Sequence, residues 1–559
     1  MGLRIYDSLS RKKVDFEPIH PGKVSMYVCG VTVYDLCHIG HARSVVLFDV
    51  IYRYLINRGY DVNYVRNFTD VDDKIINRAN QMNEDWKELA ERFVDEFHVD
   101  MDALGVKRPT HQPRATEHIP DMQSLIEKLI STGHAYETDG DVMYSVGSFT
   151  GYGKLSGKKT EDLISGARVE VDDKKRDPLD FALWKAAKPD EPFWDSPWGL
   201  GRPGWHIECS VMSMRYLGES FDIHGGGADL IFPHHENEIA QSEGATGRPF
   251  AKYWIHNGFV NIESEKMSKS LGNVLNIRDI LKTVQPEAVR LFLLSSHYRS
   301  PLDYNEKSIR EATAGLERLY SAMEGLGELI DADGPGADLP EDLKGIREQF
   351  TEAMDDDFNT QRALAVLFIA ARAVNRLHAS LRTSPQSVPN AELLKKVKDD
   401  LTCVSQEVLG ILNNEPSEML KLLRTSGGTD RMVTARQIVA GLEEARPDMG
   451  LKWDDVERAI RGGTREVITA EEILLELKPA VQQGSTAKDL LVTLEAVMPD
   501  VGIDRDEIEA LIAERADARK KKDFAEADEI RSRLEAKGIL LEDGPDGATW
   551  RIRDYSDAH

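Results

Sequence analysis

The stretch that most constrains this chain is Met26-Tyr27-Val28-Cys29-Gly30-Val31-Thr32-Val33-Tyr34-Asp35-Leu36-Cys37-His38-Ile39-Gly40-His41. Val24, Met26 and Val28 alternate with polar or aromatic neighbours, the period of a strand, and that strand ends at Cys29-Gly30. A loop follows, and His38-Ile39-Gly40-His41 opens an apolar run, Val45-Val46-Leu47-Phe48, that reads as a helix. A strand, a tight loop and a helix N-terminus form an anion cradle, because the first N–H groups lack partners and the helix dipole favours negative charge. Two histidines around a glycine let imidazole donors and bare backbone approach that anion together. The alternative is a helix start that merely carries two histidines.

A second stretch, Lys266-Met267-Ser268-Lys269-Ser270, precedes Leu271-Gly272-Asn273. Two ammonium groups three residues apart, among hydroxyls in a glycine-punctuated loop, suit a mobile clamp on a polyphosphate that gains charge in a transition state. A solvated lysine turn is the alternative. In this order and at this separation, the two stretches resemble the signature motifs of class I aminoacyl-tRNA synthetases. More narrowly, Met26 to Asp49, Gly204 to Ser210, Phe221 to Gln241 and Lys266 to Asn273 resemble the cysteinyl-tRNA synthetase family. The resemblance covers almost the whole chain apart from residues 425 to 500.

A length of 559 residues exceeds what one core holds, so two to four domains are expected. A hydrophobic fraction of 41% and a charged fraction of 30% belong to a soluble globular protein. No apolar run has the length of a membrane span, and Met1-Gly2-Leu3-Arg4 leads into no signal-peptide core, so a cytoplasmic protein with no membrane partner is expected. The 4 cysteines, Cys29, Cys37, Cys209 and Cys403, are too few and too scattered for a disulfide framework and suit a reducing compartment. The net charge of −26 argues against a nucleic-acid partner unless a local basic strip supplies the contact. Arg519-Lys520-Lys521-Lys522 beside Phe524 is such a strip, with a solvated helix end as the ordinary alternative.

The expected fold class is α/β: a Rossmann-like, doubly wound parallel sheet with an inserted connective subdomain, then an α-helical bundle and a small C-terminal anticodon-binding region. The first strand, first helix and a second strand at Tyr60 to Val65 open the sheet, whose ligands sit at the carboxyl ends of its strands. Asp70, Asp72 and Asp73 follow that strand and read either as a magnesium site or as helix capping. Residues 1–84 are assigned to the first half of the catalytic domain and 85–189 to the connective insertion. Its modest size implies no editing module. The sheet is expected to resume with Gly204 to Ser210 and Phe221 to Asp229 in a second half, 190–300, that carries the lysine loop. Three glycines, Gly225 to Gly227, would let a ligand approach the backbone. Residues 301–424 show helical periodicity at Leu364, Leu367, Ala371, Val374 and Leu377. An added helical segment over 425–503, with no role read from it, leads to the C-terminal region, 504–559.

Cys29, Cys209, His234 and Glu238 come from three stretches at or near expected strand ends, and His234 and Glu238 are spaced to share a helix face. Thiolate, imidazole and carboxylate are zinc ligands, although a lone cysteine is ordinarily just buried and a His–Glu pair ordinarily lies on a surface. The resemblance implies that these four positions hold one zinc ion per chain. It also implies that Trp205 walls the amino-acid pocket and that Thr69, His224 and Asp229 offer polar contacts. Cys37 is a decoy by its nearness in sequence. A metal would answer a selectivity problem, because pocket shape separates near-isosteres only about 10- to 200-fold. Zinc prefers a soft thiolate to a hydroxyl and deprotonates the thiol it binds.

The resemblance therefore implies an ATP-dependent ligase that activates L-cysteine as the adenylate and transfers it to the 3′ end of tRNA(Cys). ATP with Mg²⁺ is the co-substrate. His38, Gly40 and His41 would meet the α-phosphate, and Lys266, Ser268 and Lys269 the β- and γ-phosphates. In the C-terminal region Arg519 and Phe524 would contact the tRNA, and Asp528 and Asp543 match the family's anticodon-reading positions. The family often has tryptophan where Phe524 stands, so stacking is kept and an indole N–H contact is lost. A monomer is expected. Two rivals are a ligase joining cysteine to a sugar amine, against which the basic tail speaks, and a catalytically dead RNA-binding relative, against which the intact signature residues speak.

Overall fold

The computed structural model describes residues 2–158, 174–189, 191–262, 265–266, 275–332, 334, 336–381, 388–426, 514–515, 527, 530–531, 539–544 and 547–552. Two compact units are present, Met1–Leu423 and Arg424–His559.

In the first unit the hairpin β1 (Arg4–Asp7) and β2 (Lys12–Asp15) leads to β3 (Lys23–Thr32), α1 (Ile39–Asn57) and β4 (Asp61–Thr69). Helices α2 (Asp73–Met82), α3 (Trp86–Ala103) and α4 (Ile119–Ser131) follow. A small antiparallel sheet then forms from β5 (Ala135–Thr138), β6 (Asp141–Tyr144), β7 (Phe181–Ala186) and β8 (Gly201–Pro203), in that order. Its first turn is Asp139-Gly140, with φ of 47° and 81°, the positive pair that a two-residue hairpin loop requires. The chain returns through α5 (Trp205–Leu217), β9 (Phe221–Gly227), α6 (Glu236–Thr246) and β10 (Ala251–Asn257).

Strands β10, β9, β3 and β4 lie side by side in that order and all run parallel. From β3 the chain steps outward to β4, and from β9 it steps outward to β10 on the opposite side. The order therefore reverses between β3 and β9, and the crevice at their carboxyl ends is where such sheets bind ligands. The doubly wound α/β sheet expected from the sequence is present. Alternation along β3 sorts its side chains between two cores. Met26 and Val28 pack with Val46, Phe48 and Ile51 of α1, while Tyr27 faces the other core with Ile207 and Met212 of α5 and Ile239 of α6.

One expectation is corrected. Gly204 to Ser210 is not strand: Gly204 caps α5 and the rest forms its first turns. Residues Ile207 to Ser213 are all buried, and a helix buried around most of its girth shows no amphipathic stripe to separate it from a short apolar strand.

Further on, β11 (Val260–Ile262) pairs with β12 (Glu265–Lys266) and with β13 (Leu302–Tyr304), and α7 (Ile277–Leu281) and α8 (Pro286–Leu294) lie between them in the chain. Helices α9 (Glu306–Ala332), α10 (Ile346–Asp355), α11 (Thr360–Ser380) and α12 (Ala391–Thr402) make the bundle, ending in a wide turn, Cys403–Leu409, and α13 (Pro416–Ser426). Leu364, Leu367, Ala371, Val374 and Leu377 of α11 are buried, as their spacing predicts. Arg290 of α8, wholly buried, ties bundle to sheet. Its guanidinium bonds Asp49 of α1, the Leu104 carbonyl at 3.1 Å and the Leu409 carbonyl at 2.6 Å.

The second unit contains the antiparallel hairpin β14 (Ile539–Gly544) and β15 (Gly547–Ile552), with Leu541 opposite Trp550 and Asp543 opposite Ala548. Arg519, Phe524 and Asp528 lie outside the described residues, as does the side chain of Asp543.

Candidate active site and metal centre

The helix opened by the paired histidines is capped by them. His38 is the N-cap of α1, and its Nδ1 accepts from the Gly40 N–H at 3.1 Å. His41 Nδ1 in turn accepts from the His38 N–H at 3.3 Å, and the two rings stack with centroids 3.7 Å apart. Since both Nδ1 atoms accept, each neutral ring carries its proton on Nε2 and presents an N–H donor at the positive end of a helix. The chain just past the lysine loop returns to this point. Ile39 N–H donates to the Leu275 carbonyl at 3.0 Å, and Ile277 N–H to the Cys37 carbonyl at 2.9 Å. At the loop's other end Glu265–Lys266 is held as β12. The Lys266 side chain, Ser268 and Lys269 lie outside the described residues.

Across the switch point the structure gathers the four candidate metal ligands. Cys29 stands near the end of β3, Cys209 in the second turn of α5, His234 in the helical turn Ile231–His235, and Glu238 in the first turn of α6. One ligand atom from each lies within 4.8 Å of all the others. Cys29 Sγ is 3.6 Å from Cys209 Sγ and 3.4 Å from Glu238 Oε1, and His234 Nε2 is 3.1 Å from the same oxygen. Burial pushes both thiols up, and pushes the His234 imidazole well below its usual range. On their own, then, the sulfurs keep their protons and the imidazole stays neutral.

A second histidine braces the imidazole of the cluster. His206, pushed down to about 3 by burial and then by Lys185, stays neutral, and its Nδ1 meets His234 Nδ1 at 2.9 Å. The other ring nitrogen of His234, Nε2, is the one that faces Glu238. Two sulfurs, an imidazole nitrogen and a carboxylate oxygen form the four-donor set that zinc takes, and a dication would reverse the protonation logic by deprotonating the thiols. The donor set fits the ion. A second, overlapping group, Cys29, His224, His235 and Glu238, meets the same distance limit. There, however, His224 Nε2 is bonded to Glu238 Oε2 at 2.8 Å, and His235 Nδ1 meets His256 Nε2 at 2.8 Å, so these rings already brace the site. Cys37 is buried in the opposite core, away from the cluster.

Around this centre, Trp205 stacks on His234 with centroids 4.1 Å apart and remains 36% exposed. Thr69 ends β4, and its Oγ1 donates to Glu208 Oε2 at 2.8 Å. Asp229 is exposed in the turn after β9. His224 is fully buried, and its Nε2 meets Glu238 Oε2 at 2.8 Å. The glycines of β9 have packing reasons of their own: a Cβ at Gly225 would stand 2.3 Å from the Phe48 ring, and one at Gly226 2.9 Å from His235. Asp72 caps α2 by accepting from Lys74 N–H at 2.8 Å, Asp70 accepts from Thr116 N–H at 2.9 Å, and Asp73 pairs with Lys185 at 2.7 Å. The sequence reasoning missed His206, Glu208, His235 and His256. His206 and Glu208 flank residues already singled out, but nothing local marks which of their neighbours they serve.

Residues 15–314 match the family model for the class I (C) tRNA synthetase catalytic domain, 349–413 the DALR domain, and 505–551 the cysteinyl-tRNA ligase anticodon binding domain. The fold is shared with Mycobacterium tuberculosis methionyl-tRNA synthetase in complex with methionyl-adenylate, at a TM-score of 0.55 and 16% identity over 71% of this chain and 93% of that one. Sheet, capped histidine helix and family models together define a class I aminoacyl-tRNA synthetase. The cysteine–tRNA ligase of Pelobacter propionicus is 49% identical over 99% of this chain and 100% of its own length. That of Alkalilimnicola ehrlichii is 50% identical over 98% and 99%. The chain belongs to the cysteine–tRNA ligase family. Among the described residues no helix is long and apolar enough to cross a membrane.

Proposed function

We propose that this chain is a zinc-dependent cysteine–tRNA ligase, acting as a cytoplasmic monomer. The observation that carries the reading is the cluster of Cys29, Cys209, His234 and Glu238 donor atoms within 4.8 Å of one another, at the switch point where α1 presents its capped histidines. In the first step the carboxylate of L-cysteine attacks the α-phosphorus of ATP, which enters with Mg²⁺, and pyrophosphate leaves. In the second, the 3′ end of tRNA(Cys) takes the cysteinyl group and AMP leaves.

His38 and His41 donate from Nε2–H to the oxygens of the α-phosphoryl group, and Gly40 keeps the backbone between them bare. Lys266 and Lys269, with the Ser268 hydroxyl, neutralise the β- and γ-phosphates as charge develops there. No side-chain nucleophile is required, because positioning and electrostatics carry the reaction. Cys29, Cys209, His234 and Glu238 would hold the zinc, which when bound supplies a preference for a thiolate sulfur over a serine hydroxyl. Trp205 walls the amino-acid pocket, and Thr69, His224 and Asp229 make polar contacts to the substrate, His224 also holding the Glu238 carboxylate. Arg519 contacts phosphate, Phe524 stacks, and Asp528 and Asp543 accept hydrogen bonds from base edges in the anticodon.

The test is cysteine-dependent ATP–pyrophosphate exchange, repeated as charging of tRNA(Cys). Both activities are expected, with serine inactive. Exchange without transfer to tRNA would sink this reading in favour of a ligase that delivers cysteine to another amine.

A further inference from the structure

The turn that delivers His38 to the head of α1 leans on a helix far along the chain. Residues 33–38, between β3 and α1, belong to no helix or strand. What meets them is the start of α7. His38 and Asn276 face each other in an isolated antiparallel bridge, closed by Ile39 N–H on the Leu275 carbonyl at 3.0 Å and Ile277 N–H on the Cys37 carbonyl at 2.9 Å. Yet α7 has only 5 residues, too few to hold a helix in isolation, and its N-cap Asn276 makes no capping bond. Ile277 and Ile280 are buried and seat it in the core. Arg278 ties it to α3. The Arg278 Nε–H donates to Asp100 Oδ1 at 3.1 Å, its Nη2 lies 3.5 Å from the Glu96 carbonyl oxygen, and the guanidinium pairs with the Glu96 carboxylate. Asp100 is 2% exposed, its second oxygen has no hydrogen-bond partner among the described residues, and Arg278 is the cation that pairs with it. The anchor is firm: α3 buries Phe93, Phe97 and Met101, and Phe97 packs edge-on against Phe68 of β4 with centroids 5.1 Å apart.

A packed helix, an arginine, a short helix and a two-bond bridge therefore run in series from the sheet edge to His38. Misplacing a group that meets the reacting atoms by about 1 Å costs up to about 100-fold in rate. We propose that Arg278 is a positioning residue for adenylate formation, acting through His38: by tying α7 to Asp100 and Glu96 it sets where the His38 ring stands as it meets the α-phosphoryl group. This inference rests on the role given to His38 above. A guanidinium suits the task, because its planar fork serves two carboxylates at once, whereas an ammonium is a point charge on a flexible stem. The two acids lie in the last two turns of α3, where the helix dipole also favours a cation. Both α3 and α7 pack in the core opposite the metal cluster, so neither zinc content nor the cysteine pocket depends on this tie.

The test is pyrophosphate exchange by the full, zinc-loaded chain at saturating ATP and cysteine. Arg278→Gln is expected to lower kcat about 10- to 100-fold, with zinc content and the KM for cysteine at their wild-type values. Arg278→Lys, which serves one carboxylate, should recover part of the loss. A double-mutant cycle separates positioning from stability. His38→Asn keeps an N-cap for α1 and removes the ring donor. In that background Arg278→Gln should change kcat less than about threefold, because the group it positions is gone. An equal loss in both backgrounds, a wild-type kcat in folded Arg278→Gln, or a loss accompanied by falling zinc content would overturn this inference and leave the reading of the site standing. A His38→Asn enzyme with full kcat overturns the role of His38 and this inference with it. Should Arg278→Gln not fold, Glu96→Gln cuts the tie from its partly exposed side and is judged by the same cycle.

Discussion

At the scale of single residues, the site is a problem of protonation solved by geometry. Burial holds protons on Cys29 and Cys209 and off His234, and Glu238 is braced by His224 at 2.8 Å. Cys209→Ser exchanges a soft ligand for a hydroxyl that keeps its proton. The variant should lose zinc affinity at least about tenfold and raise the KM for cysteine in pyrophosphate exchange. Cys37→Ser, in the opposite core, should leave metal content at the wild-type value. Metal analysis of the two purified variants checks both halves, and a folded Cys209→Ser with full zinc and normal KM would remove that residue from the site.

At the scale of elements, what matters is how α1 and α2 are held at the strand ends. Asp49 of α1 is 1% exposed, bonded to Arg53 at 2.8 Å and to Arg290 of α8. Arg290→Leu would leave Asp49 with one cation and strip the donor from the Leu104 and Leu409 carbonyls. Breaking a buried pair in this way costs about 3–5 kcal/mol, so the urea midpoint should fall markedly. Lysine should not rescue it, because one ammonium cannot reach three acceptors that a planar guanidinium spans. A midpoint within error of wild type would show that α8 is held otherwise. Asp72 tests a rival reading of the acidic run after β4. As the N-cap of α2, its alanine variant should cost about 1 kcal/mol, seen as about fivefold faster amide exchange in the first turn of that helix. The Mg²⁺ dependence of pyrophosphate exchange should not move. A shifted Mg²⁺ requirement would restore the metal reading of Asp72.

At the scale of the whole molecule, the issue is how a chain of net charge −26 engages an RNA. The match of residues 505–551 to an anticodon-binding domain puts the basic run Arg519 to Lys522 inside the part that would do so. Truncation before Ala518 should spare cysteine-dependent pyrophosphate exchange, which needs only the parallel sheet and the metal cluster, and sharply reduce tRNA charging. Neutralising those four charges should flatten the salt dependence of tRNA binding, because fewer counterions are released. Charging at the intact rate by the truncated chain would refute the role given to this region.

The sequence by itself determined what local geometry can carry. Alternation along β3 put Tyr27 and Cys29 on one face, four-residue spacing put His234 and Glu238 on one side of a turn, and the paired histidines marked a helix start. The periodicity of α11 marked a bundle helix. Only the tertiary structure decided which of these pieces meet. Cys29 lies 180 residues from Cys209 and 209 from Glu238, and they converge because β9 returns beside β3 after a long insertion, a pairing no local interaction encodes. For the same reason the helical state of Trp205 to Ser210 and the Thr69–Glu208 bond were not legible. Each depends on burial against partners distant in the chain, and burial is a property of the packed molecule.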